Sequence, residues 1–369
     1  MKHIITAVGA LAMTTTLAQA GGVDRSGQSV ASIFESGNYV EFSFGRVSPD
    51  VSGTSSANLG PFGGFSSGDM ARGYNQIGMA VKTKLNDHWD LGVIFDQPFG
   101  AKVDYPSGTN YFAQGSTAEL NASALTTVLK YRTDNNISIF GGLRYELMDA
   151  KASVPFVAGY VVDSDQSSGL GYLVGVAYEK PEIALRVALT YNSKISHDFN
   201  TVESSLLTGG FDVDGKTTVD SPQSVNLEFQ SGVAKDTLVF GSVRWVDWSE
   251  FVIDPTNYPP ADPLVFYNSD TVTYTLGVGR QFNENWSGSV AIAFEDQSGG
   301  FASNLGPHDG RTSITLGAAY TTANKLKISG GVSYIRIGDA KTTLDDVNAA
   351  SDFSDNSAVG VGMRISYAF

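Results

Sequence analysis

The 369-residue chain has no cysteine, only four histidines and few charges, and each shortage removes a class of protein. Without cysteine there are no disulfides, thiolate metal sites or lipidated N-terminal cysteine. Past the first residues only His88, His197 and His308 remain. They show no metal-ligand spacing and stand beside no evident nucleophile, so an enzyme is the weakest option and no metal or cofactor is expected. Lys and Arg number 24 against 38 Asp and Glu, and the resulting net charge of −14 argues against nucleic acid as a partner, because phosphate-binding surfaces need clustered cations. Beyond residue 20 no stretch of about 18 residues is apolar enough to cross a bilayer as a helix.

Residues 1–20 read as a signal peptide. Lys2 and His3 open it, residues 4–17 form a weak apolar core, and Ala18-Gln19-Ala20 supplies small-x-small cleavage chemistry. An exported chain without a spanning helix is periplasmic, extracellular or a β-barrel.

The abundant signal is alternation. At the C-terminus Val359, Val361, Met363, Ile365, Tyr367 and Phe369 share one strand face, and Gly360, Gly362, Arg364, Ser366 and Ala368 share the other. Similar runs recur from residue 38 onward, joined alternately by short turns such as Asn86-Asp87-His88 and Asn283-Glu284-Asn285 and by long polar connections. The long connections are expected near 49–73, 101–115, 149–168, 196–220, 249–269, 297–310 and 338–356. Short turns on one rim and long loops on the other are the asymmetry of a transmembrane barrel. The count is about fourteen strands, with twelve or sixteen open because the phase of 116–132 is ambiguous. Trp89, Trp286, Tyr131, Tyr178, Tyr320 and Phe369 fall near the short-turn rim, as an aromatic girdle requires and a soluble core does not. The fold class expected is all-β: an antiparallel barrel over 38–369 in the bacterial outer membrane.

Three segments break the pattern. Residues 21–37 do not alternate; with Gln28, Val30, Ile33 and Phe34 they are either a periplasmic tail or a plug (hatch) in the lumen. Pro98, followed by Phe99 and Gly100, interrupts the strand beginning at Trp89, because proline donates no ladder hydrogen bond. Either the wall there is bulged, kinked or gapped, or the strand ends at Gln97 and Pro98 opens a loop. The loops are also unusually greasy, with Phe62 and Phe65 in the first, Tyr111-Phe112 in the second, and Phe251 and Phe266 in the fifth. Arg144 and Arg244, with Lys82, Arg186 and Arg364, face inward and are able to pair with a carboxylate head group. Inward Glu41, Glu146, Glu228 and Glu295 are equally able to neutralise them.

At Ser48-Pro49-Asp50-Val51-Ser52-Gly53, Pro98-Phe99-Gly100 with Tyr105-Pro106, Asp247-Trp248-Ser249-Glu250-Phe251, Pro307-His308-Asp309-Gly310-Arg311 and Tyr367-Ala368-Phe369, the chain resembles the FadL/TodX family of outer-membrane transporters for long-chain fatty acids and other hydrophobic compounds. The resemblance implies fourteen strands, a luminal hatch at 21–37 and a kinked third strand opening a lateral window at Pro98 and Gly100. It departs in one respect: family hatches are longer and carry an Asn-Pro-Ala element, whereas here Phe34-Glu35-Ser36-Gly37 leads straight into the first strand. The function expected is passive uptake of hydrophobic small molecules (fatty acids, and detergents in vitro), adsorbed at Phe62, Phe65, Phe251 and Phe266 and released sideways near Pro98 into membrane lipid. A monomer is expected. The rivals are a general hydrophilic porin and a structural or surface-interaction barrel.

Overall fold

The computed structural model describes residues 23–260 and 262–369; the expected signal peptide, and residues 21 and 22 of the expected hatch, lie outside the described residues. Eighteen hydrogen-bonded segments form fourteen antiparallel wall strands, four of them interrupted once. The strands are β1 (Tyr39–Asp50), β2 (Tyr74–Lys84), β3 (Trp89–Asp96 and Gly100–Asp104), β4 (Thr117–Arg132), β5 (Ile137–Val154), β6 (Tyr160–Ser164 and Ser167–Lys180), β7 (Leu185–Asn192 and Ile195–Ser204), β8 (Val213–Ser221 and Ser224–Ala234), β9 (Thr237–Val246), β10 (Thr271–Gln281), β11 (Trp286–Glu295), β12 (Arg311–Thr321), β13 (Leu326–Ile337) and β14 (Ser357–Ala368). Each pairs with the next. The wall closes where β1 meets β14, in register from Tyr39 opposite Ala368 to Asp50 opposite Ser357. Just before β1, Asn38 exchanges backbone hydrogen bonds of 3.0 and 2.9 Å with Phe369. Lipid offers the backbone no partners, so closure is obligatory for a spanning sheet.

Alternation puts the apolar set outside. Val359, Val361, Met363, Ile365 and Tyr367 of β14 are exposed, as are Leu170, Tyr172, Val174, Val176 and Tyr178 of β6. Beside the short turns, Trp89 packs against Tyr131 with ring centroids 4.9 Å apart, and Trp286 against Tyr320 at 5.0 Å, each pair directly opposed across neighbouring strands. These rings form the girdle that the sequence pattern predicts. The inner face is polar where it is not filled: Lys82, Asp90, Lys130, Arg144, Glu146 and Glu179 are all buried inside.

The expected long loops at 149–168 and 196–220 are instead mostly strand. β5 and β6 continue to Val154 and from Tyr160, and β7 and β8 continue through Ser204 and from Val213. Past Leu147 the outward residues become Asp149 and Lys151, and on β7 Ser196, Asp198 and Asn200 face out while Phe199 faces in. Once the wall leaves lipid its outer face turns polar, so a search for an apolar outer face stops too early. The loops at 51–73, 296–310 and 338–356 contribute Gly53–Ser55, Phe301–Ala302, Ala340–Thr343 and Ala349–Phe353 to a small four-stranded sheet over the barrel mouth.

Inside the barrel, large rings rest on glycines. Phe140 lies directly opposite Gly175, and Phe240 opposite Gly277, each ring filling the space where a Cβ would stand. Replacing Gly175 by Val must displace Phe140, with the Leu189 carbonyl oxygen also 2.6 Å from the new Cβ. We expect Gly175→Val to destabilise the wall by about 1–3 kcal/mol, the usual range for overpacking. The temperature of the heat-induced shift in gel mobility measures it, and an unchanged transition would refute the packing account.

Candidate functional site

One irregular part of the wall is β3. Pro98 cannot donate to a ladder, and the strand stops at Asp96 and resumes at Gly100. Against β4 the register jumps from Asp96 opposite Ala124 to Gly100 opposite Asn121, so three residues of β3 face two of β4. This is a bulge. On the other side the loss is greater. Pairing with β2 ends at Met79 opposite Phe95 and returns only at an isolated bridge between Ala71 and Val103. Between these points residues 74–78 pair with β1 alone. The Gln97 side chain reaches across the gap: the Ile77 N–H donates to Gln97 Oε1 at 2.9 Å.

The backbone freed by the break turns inward to the N-terminal segment. Asp24 forms a bridge with Phe99; the Arg25 N–H donates to the Pro98 carbonyl at 2.8 Å, and the Gly100 N–H to the Val23 carbonyl at 2.8 Å. Phe99 is fully buried, edge-on to Trp248 at 5.8 Å, and Trp248 lies 5.6 Å from Phe251 and 5.3 Å from Tyr267. Beside this aromatic group is a cavity of about 60 Å³, lined chiefly by Val23, Leu120, Met148, Phe199, Val219, Val265 and Leu305.

Residues 23–37 hold to the inner wall in two ways. The short turn Ala31–Phe34 buries Ile33 and Phe34 beside Val30, against Ala80, Ile94, Val128, Phe140 and Leu173. Full burial of such side chains stabilises by about 1.5–3 kcal/mol each. The polar anchors converge on Arg244, whose Nε donates to Asp24 at 2.8 Å, Nη1 to Asn226 at 2.8 Å and Nη2 to Gln28 at 3.2 Å. Ser29 donates to Glu228 at 2.7 Å, and Lys82 reaches the carbonyls of Glu35 and Gly37.

The structure therefore brings together Pro98, Phe99, Gly100, Phe251, Arg244 and Gln28, with Val30, Ile33 and Phe34 further along the same segment. It does not bring Phe62 and Phe65 to them: Phe62 is 51% exposed on the first loop, and neither ring joins the apolar clusters. Phe266 is half-buried opposite Val252 in a two-residue hairpin. Among the described residues Arg144 donates a hydrogen bond to Thr126 at 2.9 Å and its buried Nη1 has no partner. Sequence reasoning missed Asp24, Arg25, Tyr74 and Gln97; the only signal was a charged pair inside a segment otherwise read for its apolar residues.

The two inward or loop histidines have local partners. His197 faces in and meets Glu146 at 3.1 Å, while Asp198 faces out and accepts from Thr218. Ser221 also donates to Glu146, not to His197. Asp309 accepts hydrogen bonds from Ser298 and Gly299 and organises its loop, while burial holds His308 below the usual imidazole range, as a neutral group.

A family model described as "Outer membrane protein transport protein (OMPP1/FadL/TodX)" matches residues 30–369. The chain belongs to this family. Among curated relatives, outer membrane protein P1 of Haemophilus influenzae is 22% identical, over 77% of this chain and 73% of its own length. The long-chain fatty acid transport protein of Escherichia coli (strain K12) is 24% identical, over 77% of this chain and 75% of its own length. Among solved structures, a Pseudomonas aeruginosa FadL homologue superposes with a TM-score of 0.73 at 14% identity, covering 92% of each chain. The P. putida toluene transporter TodX superposes at 0.66 and 13%, covering 92% and 91%. These likenesses support the fourteen-stranded barrel, and the family is one of outer-membrane transporters rather than enzymes.

Within this FadL/TodX-family barrel Arg244 is the principal anchor of residues 24–28. Arg244→Ala leaves Asp24 buried without its cation, a loss of about 3–5 kcal/mol for such pairs. Faster amide exchange across residues 23–30 is the expected outcome, while the wall strands keep their protection. Unaltered exchange in that segment would show that the apolar contacts of Val30, Ile33 and Phe34 suffice.

Proposed function

We propose that the chain carries hydrophobic molecules passively across the outer membrane and releases them sideways, between β2 and β3, into the bilayer. The observation that supports this reading is the stretch of missing ladder at residues 74–78, beside the break at Pro98. A spanning sheet tolerates unpaired backbone only where protein or a cavity meets it, so such a stretch marks a place where the wall opens. Ligand enters from the loop side, partitions into the apolar cavity beside Phe99 and Trp248, and passes the break. Residues 23–37 act as the plug, which must shift to let it through. Burial of apolar area, roughly 25 cal/mol per Å², drives the ligand in and membrane lipid receives it, so no energy source is needed.

Pro98→Val restores a donor and a strand-forming residue at the break. Uptake of a labelled hydrophobic compound into cells is expected to fall to near background, with the barrel still folded by gel mobility. Uptake at the parental rate would end the lateral reading. Removal of residues 22–36 is expected to raise ion conductance in planar bilayers; a parent that already conducts as well as the deletion variant would favour an open porin.

A further inference from the structure

Arg25 is 6% exposed and forms no ion pair among the described residues. Its guanidinium carbon lies 4.1 Å from the centre of the Tyr74 ring, in the stretch of β2 that has lost its β3 partner. The other side of the same group rests against Gly100, where β3 resumes, and occupies the place a Cβ would take there. The guanidinium thus spans the gap from one lip to the other, and its buried Nε has no hydrogen-bond partner. The backbone pairing of residues 23–25 with Pro98 and Gly100 holds it in that position.

A buried guanidinium that rests on an aromatic face, with one N–H left without a partner, is an incomplete site. A carboxylate is the better partner, accepting two parallel charge-assisted hydrogen bonds from the guanidinium fork, whereas a ring face offers only its quadrupole. We propose that Arg25 is the carboxylate-recognition residue of the lateral gap, and that it selects amphipathic acids over neutral hydrocarbons. The inference rests on the lateral reading above. The acid head group pairs with Arg25, draws it off Tyr74 and so clears the gap for the alkyl chain behind it. A neutral molecule of the same length lacks that exchange and meets a closed gap.

The test compares uptake of laurate and of methyl laurate by cells producing the full chain. The parent is expected to favour the acid by about tenfold, roughly the factor one charge-assisted hydrogen bond supplies. Arg25→Gln is expected to abolish the preference and Arg25→Lys to retain part of it. Gly100→Ala leaves Arg25 in the chain but puts a methyl group where its guanidinium lies, and is also expected to lose the preference. An unchanged acid-to-ester ratio in R25Q and G100A, with both compounds entering, overturns the assignment alone. So does an R25K variant as indifferent as R25Q. Entry of neither compound through the parent sinks the transport reading, and this assignment with it.

Discussion

A sheet that spans lipid must pair every backbone donor and acceptor within the protein, and the structure follows from how this chain meets that demand. Most of the wall meets it by repetition, closed where Asn38 and β1 bond to Phe369 and β14. At the other interruptions β7 and β8 recover at once, pairing at Asn192 opposite Ser224 and again at Ile195 opposite Ser221, whereas β6 and β7 lose their ladder between Leu173 opposite Asn192 and Ser164 opposite Thr201. β3 likewise loses a long run of ladder to β2. The freed Ile77 N–H of β2 goes to Gln97 across the gap, and backbone groups of the β3 break go to residues 23–25 from within. The wall defect and the N-terminal segment therefore form one hydrogen-bonding system.

That coupling shapes what the segment is able to do. Its apolar residues Ile33 and Phe34 fit the wall, Ile33 in the space beside Gly92 and Phe34 edge-on to Phe140. Its polar anchors gather instead on one cation, Arg244, through Asp24 and Gln28. A segment held by a few directional contacts is released as a unit when those contacts are exchanged.

Much of the wall is legible in the chain because lipid imposes a rule of period two. Val359 to Phe369, the runs around Tyr172 and Ile292, and the paired Trp and Tyr beside the short turns all state which face meets lipid. The rule fails beyond the membrane. There Asp149, Lys151 and Asp198 face outward, so the strand extensions of β5 to β8 resemble loops. Pro98 declares a break without saying what the break becomes. The same residues would serve a strand end, and only the register of β2 and β4 on either side distinguishes the two.

By itself, the sequence determined that the chain spans the membrane as strands and where one strand cannot be regular. These properties depend on local chemistry: side-chain period, turn residues and the missing N–H of proline. Only the tertiary structure decided what fills the irregularity. Arg25 meets Tyr74 and Gly100, Gln97 caps Ile77, and Phe99 turns in to Trp248 across large separations in the chain. Such contacts leave no periodic trace, because each is set by the path of the closed wall and not by its neighbours in sequence.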